Sequence, residues 1–218
     1  MARIRVTRKP ANAYQHGDLR NALIQAGLKL LAEGDVADLS LRAAAELAGV
    51  SHAAPYRHFR DKTDLVGAIA EEGYRLLTRA MRESIAAAGS TGVLERIRAA
   101  GHGYVTFAVE HPAHFRTVFG GFVCPDGDHS KLSPTLRAAG DEAYRVTRDL
   151  IEEGVRTRQL RSGDPDQLSL ATWSMIHGFS MLAIEGQLLV LGVNPQDRAS
   201  VRRAADAVAT LLESGLRP

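Results

Sequence analysis

The chain has 218 residues, 45% hydrophobic, 24% charged and 6% aromatic, with a formal net charge of +2. At roughly 100–200 residues per domain this describes one or two globular domains with a real core, not a disordered tail or a fibrous repeat. A single cysteine, Cys124, excludes an internal disulfide framework and any multi-cysteine zinc or iron–sulfur site. Charge is unevenly spread. Residues 1–62 hold ten Lys and Arg against six Asp and Glu, a net +4 that leaves −2 for the remainder, so the front third suits an anionic partner. No apolar run approaches the roughly 20 residues of a membrane span; the richest, 180–193, is interrupted by Glu185 and Gln187. Residues 1–10 are basic with no apolar stretch behind them, unlike a secretory signal, so the expected location is cytoplasmic, away from membranes.

The predicted elements are all helical. Leu19, Leu23, Ala26 and Leu30 keep a helix period from Asp18 to Gly34. Ser40 caps a short helix running to Ala48, and Val50-Ser51 opens a third through Phe59. Asp61, with Asp64 three residues on, caps a fourth in a capping-box arrangement; it carries Leu65, Ile69, Leu76 and Ala80 on one face and breaks near Gly89. A fifth holds Leu94, Ile97, Gly101, Tyr104 and Ala108. Proline at the first helical position marks the remaining starts, at His111-Pro112, Ser133-Pro134, Asp164-Pro165 and Asn194-Pro195. Residues 120–133 lack a period and read as a loop, and no segment alternates with period two. The expectation is an all-α protein of about nine helices without internal repeats.

The most informative stretch is residues 39–65, LSLRAAAELAGVSHAAPYRHFRDKTDL. Two short helices around a tight glycine-containing turn form the helix-turn-helix plan, whose second helix fits a DNA major groove. Ala43, Ala44, Ala45 and Ala48 let two such helices cross closely. Ser51 as cap leaves the first-turn amides and the positive helix end facing the groove. Tyr56, Arg57 and His58 follow one another on that helix, and Lys62 opens the next. Helix-end amides beside a lysine make a phosphate clamp.

GVSHAAPYRHFRDKTDL, preceded by SLRAAAELA and by YQHGDLR, resembles the DNA-binding domain of TetR-type transcriptional regulators over about residues 15–75. The resemblance implies that Ser51, His52, Ala53, Ala54 and Arg57 face bases or backbone, that Tyr56, His58 and Lys62 hold phosphates, and that Arg42 touches DNA. It further implies double-stranded operator DNA, a homodimer and a small-molecule effector as partners, with repression as the usual sign and no cofactor. Pro55 stands where Leu or Ile is more usual; it removes a first backbone bond or shifts the helix start, which bears on His52 and Ala53. Farther along, Trp173-x-x-x-His177-Gly178 and HPAHFRTVFG (111–120) resemble a C-terminal subclass of the same family.

The expected division is a DNA-binding unit over 1–62 and an effector-binding and dimerisation unit over 63–218. Arg3, Arg5, Arg8 and Lys9 read either as an arm in the minor groove or as a tail of counterion value only. Tyr56 reads as a phosphate contact or as a core aromatic at helical spacing from Phe59, which belongs to the core. Trp173 and His177 share a helix face near Ile176 and Ile184. They form either a wall of an effector pocket, with His177 as its polar handle, or packed interior in which His177 bonds a backbone carbonyl. Phe107, His111, Phe115 and Phe119 are further pocket candidates, each also readable as core or capping.

For dimerisation, residues 166–191 are apolar nearly all round. Residues 196–213 stripe Val201, Ala204, Ala205, Val208 and Leu211 opposite Arg202, Arg203 and Asp206. Two such pairs make a four-helix interface. His102, His111, His114 and His129 fit no metal-ligand spacing, and Cys124 has no cation beside it. No dinucleotide, Walker, G-x-S-x-G or H-E-x-x-H motif occurs, so no enzyme is expected. Two alternatives stay open: a metal- or redox-responsive regulator on this scaffold, and a helical ligand-binding module without DNA binding.

Overall fold

A computed structural model describes residues 16–34, 39–89, 92–123, 128 and 131–218, with side chains from Leu19 onward. The basic segment Arg3–Lys9, Cys124 and His129 lie outside the described residues. Eight α-helices follow in order: α1 His16–Glu33, α2 Leu41–Leu47, α3 Lys62–Ala88, α4 Val93–Glu110, α5 Pro112–Phe119, α6 Pro134–Arg156, α7 Pro165–Ile184 and α8 Arg198–Leu216. Two short 3-10 turns, Pro55–Arg57 and Leu189–Leu191, complete the regular structure. The described residues are thus all-α.

Most starts follow local cap chemistry. The Ala43 amide donates to Ser40 Oγ at 3.0 Å, Asp64 to Asp61 Oδ1 at 2.9 Å, Leu136 to Ser133 Oγ at 3.2 Å and Asp166 to Asp164 Oδ1 at 3.0 Å; each such cap contributes about 1 kcal/mol. Two starts differ from expectation. The Asp64 carboxylate returns to Arg60, accepting its amide and its guanidinium, rather than closing a box on Asp61. The last helix is capped by Asp197, which accepts from Ala199 at 3.0 Å, while Asn194 Oδ1 takes the Gln196 amide in a turn before it.

The N-terminal core joins Leu23 and Ile24 of α1, Leu39, Leu41, Ala44 and Phe59, and Leu65, Val66 and Ile69 of α3. A boundary at residue 62 therefore falls inside a helix that both halves share. Ala44 and Ala45 are fully buried, the close approach their short side chains permit. Gly49 ends α2 at φ +71°, where the Val50 amide reaches back to the Ala45 carbonyl at 3.0 Å. That left-handed conformation is open to glycine at little cost.

The element expected as a helix over 51–59 is a single 3-10 turn. Pro55 has no N–H to offer the Ser51 carbonyl; the Ala54 amide donates to that carbonyl at 2.9 Å, and the His58 amide donates to the Pro55 carbonyl at 2.9 Å, both the tighter i→i−3 pattern. The Ser51 hydroxyl caps nothing, for Ala54 precedes the turn without a side-chain cap. Pro55→Leu is expected to rewind the segment into about two turns of α-helix. Hydrogen exchange should then show new amide protection over 54–58; unchanged protection would mean that the surroundings, not the proline, set the winding.

In the C-terminal body α3 and α4 share the most extensive helix–helix contact. α7 ends at Ile184, short of the expected 191, because the chain turns through Gly186 at φ +69° and Gly192 at φ +76°. α7 presents its small residues Ser169, Thr172, Ser180 and Ala183 inward and Leu170, Met175 and Leu182 outward. The α8 stripe is a correction. Val201 and Ala205 pack inside the chain on Val105, Phe179 and Val193, with Ala204 and Val208 beside them, and only Leu211 of the set stands exposed. Among the described residues no helix is long and apolar enough to cross a membrane.

Candidate DNA-binding surface and ligand cavity

Around the 3-10 turn the side chains sort cleanly by burial. Pro55 and Phe59 are buried, with the Arg20 guanidinium 5.5 Å from the Phe59 ring centre. Tyr56 is 58% exposed; Arg42, Ser51, His52, Ala53 and Arg57 are exposed as well, and Ala54, His58 and Lys62 are half-buried. Phe59 alone takes the core position of the Tyr56/Phe59 pair. The neighbouring Arg60 is committed elsewhere: both its Nε and Nη2 donate to Asp64 at 2.7 Å, and this bond holds the Asp64 carboxyl below its ordinary range. The amide-rich end beside Lys62 belongs to α3, capped by Asp61, and not to the segment after Ser51.

The body holds a partly open cavity of about 250 Å³, walled by Tyr74, Leu77 and Met81 of α3, Ile97, Arg98 and Tyr104 of α4, Phe119 of α5, Arg137, Asp141, Tyr144 and Arg148 of α6, Thr172, Trp173 and Ile176 of α7 and Val208 and Leu212 of α8. Of the six expected pocket residues, Phe119 and Trp173 line it. Phe107 and Phe115 lie in the core between α3, α4 and α5, 1% and 0% exposed. His111 ends α4 at its junction with α5, its ring 5.7 Å from Phe107 and 5.8 Å from His114. His177 stands one layer behind the wall, stacked on Phe115 at 5.5 Å and edge-on to Phe119 at 4.8 Å.

His177 meets a side chain rather than a backbone carbonyl. Its Nδ1 lies 2.8 Å from the Tyr104 hydroxyl, which also accepts from Trp173 Nε1 at 3.3 Å. Burial pushes His177 down from its usual pKa and Tyr104 well up, so both are neutral near pH 7. His102, another candidate histidine, pairs with Asp206 at 2.9 Å. His114 is buried with its Nε2 unpartnered, and burial together with nearby His111 pushes it down to about 4. Tyr74, Tyr104, Arg137 and Tyr144 are the site residues that sequence reasoning missed. Three of them are tyrosines on three different helices, α3, α4 and α6, and nothing in a single sequence says that they converge.

A helix-turn-helix head with an outward Tyr-Arg pair, joined by one long helix to a body holding an apolar cavity, defines a ligand-responsive DNA-binding regulator. Residues 23–69 match the family described as Bacterial regulatory proteins, tetR family. Residues 97–208 match Tetracyclin repressor-like, C-terminal domain. The chain belongs to the TetR family of transcriptional regulators, with a DNA-binding N-terminal domain and a ligand-binding C-terminal domain. Among solved structures it is similar to a protein of unknown function from a Rhodococcus species, with 29% identity and a TM-score of 0.75 over 95% of this chain and 100% of that one. PfmR of Thermus thermophilus, a TetR family transcriptional regulator, aligns at 21% identity and TM-score 0.66, over 90% of this chain and 99% of its own. FadR of Bacillus subtilis, solved in complex with stearoyl-CoA, aligns at 16% and 0.66, over 89% and 98%.

Proposed function

We propose that this regulator binds a near-palindromic operator as a homodimer and is released from it by a small, largely apolar effector, so that it acts as a repressor. DNA is held by residues 1–62 together with the first turns of α3. Ser51, His52, Ala53, Ala54 and Arg57 face bases or backbone; Tyr56, His58 and Lys62 hold phosphates; Arg42 adds a contact from α2. The rest of the chain, bearing the Trp173-x-x-x-His177-Gly178 pattern of its proposed subclass, binds effector and a second copy. One observation carries this reading: α3 bears Lys62 in its first turn and Tyr74, Leu77 and Met81 in the cavity wall. A second route runs through α5, which packs on both α1 and α3 and places Phe119 in the same wall. An occupant that moves these walls tilts the DNA-binding head.

By linkage, effector and DNA must weaken each other by the same factor, typically about 5–150-fold. Sites selected from random duplex DNA, titrated with and without ligand, test this directly; DNA affinity indifferent to every ligand that binds the body would overturn it. Lys62→Ala is expected to weaken binding to all duplexes alike and to lower the salt slope by about one. A lost sequence preference at an unchanged slope would remove Lys62 from the phosphate contacts.

A further inference from the structure

The cavity is small and aromatic, and two of its three lining arginines are paired with carboxylates outside the wall. An apolar cavity of about 150 Å³ holds benzene, so about 250 Å³ seats one substituted ring or two fused ones. At the roughly 25 Å³ per carbon that this benzene site implies, an 18-carbon acyl chain needs about 450 Å³. Planar partners suit the wall, where Phe119 meets Tyr74 edge-on at 6.0 Å and Trp173 at 6.3 Å.

Two of the three lining arginines are ion-paired. Arg98 donates twice to Glu213, at 2.6 and 2.8 Å; Arg148 pairs with Asp166 at 2.9 Å and Glu152 at 2.5 Å. Arg137 donates to the Leu132 carbonyl at 3.1 Å, with Asp141 one turn along in the same lining. Arg137 itself is solvent-exposed, so an ionic guest deep in the cavity would meet no free counter-charge there, and an unpaired buried ion is strongly disfavoured. Polar capacity does remain on two phenols. Among the described residues the Tyr74 hydroxyl has no hydrogen-bond partner. With the neutral His177 ring carrying its proton on Nε2, the Tyr104 hydroxyl donates to Nδ1, accepts from Trp173 and keeps one acceptor position. Both rings border Phe119, at 6.0 and 6.1 Å. One donor and one acceptor together complement a hydroxyl group.

We propose that the effector is an uncharged aromatic molecule of one or two rings carrying a hydroxyl group, which accepts from Tyr74 and donates to Tyr104. This rests on the reading of the C-terminal half as a ligand-binding domain. Trp173 is the only tryptophan of the chain and stands in the cavity wall, so its emission reports occupancy of the full-length protein without DNA. The probes are 4-ethylphenol, ethylbenzene, 4-ethylbenzoate and stearoyl-CoA. 4-Ethylphenol is expected to bind at least about ten-fold more tightly than the other three, since a site built for a hydroxyl leaves polar groups unpaired when it is missing. Tyr74→Phe should erase that preference while leaving ethylbenzene affinity unchanged, and Tyr104→Phe, a second variant of the same shape, should do likewise. Equal binding of phenol and hydrocarbon, or tighter binding of the benzoate or the acyl-CoA, overturns the proposal and leaves the ligand-binding reading standing. Silence from all four probes overturns the proposal as well.

Discussion

Leu211→Glu is expected to convert a dimer into a monomer and to weaken operator binding by about 10²–10⁴-fold, the avidity lost when one of two linked half-sites lets go. Leu211 is 70% exposed on α8, and Leu170, Met175 and Leu182 of α7 with Val190 and Leu191 beyond it are exposed too. So much uncovered apolar surface on one chain marks an interaction face, and at about 25 cal/mol per Å² its burial against a second copy is a substantial driving force. A carboxylate at such a contact is desolvated without a partner. Because Leu211 points to solvent in the single chain, the substitution leaves the fold of each copy intact. Sedimentation and operator titration would be measured together. A dimeric variant of undiminished affinity would place the interface elsewhere.

Gly103→Val is expected to destabilise the protein by about 3 kcal/mol or more, lowering the melting temperature by roughly 10 °C at about 2–4 °C per kcal/mol for a chain of this size. A Cβ at position 103 would fall 2.6 Å from Met81 Cα and 2.8 Å from the Ala80 carbonyl carbon. These are backbone atoms of α3 and cannot swing aside. The helices would have to part along the most extensive contact of the C-terminal body. Gly101→Ala, two residues earlier on α4, meets only the end of Ile176 at 3.6 Å and is expected to raise stability by up to about 1 kcal/mol through helix propensity. Thermal unfolding of the pair separates crowding from propensity; similar melting temperatures would refute the close crossing.

How much of this was legible beforehand depends on how local the cause is. Ser40, Asp61, Ser133 and Asp164 announce their helices because a cap acts within three residues of itself. Asn194 misled because Asp197, three residues on, offers the same chemistry and wins the helix. The period of α8 showed an apolar face truthfully, yet period alone does not say whether that face meets its own chain or another; Val201 and Ala205 meet their own. The cavity was half legible for the same reason. Phe119 and Trp173 stood out as aromatic, but so did Phe107 and Phe115, which pack solidly between helices. Tyr74 and Arg137, far apart in sequence, meet the others only through the crossing of α3 and α6. Gly103 carries no signal in one sequence, since its role is defined by atoms of a neighbouring helix.

The tight turn at Pro55–Arg57 limits how much a single copy of the protein learns from DNA. Three residues at about 2 Å of rise each advance about 6 Å, fewer than two base steps of about 3.4 Å. On the proposed contacts, each copy must therefore draw on Arg42 and the Ser51–Ala54 segment as well as on the turn to read even a short half-site. For the proposed dimer, what singles out an operator is the coincidence of two such half-sites at one fixed separation, so inserting or deleting a base pair between them should silence it more thoroughly than altering a base within either.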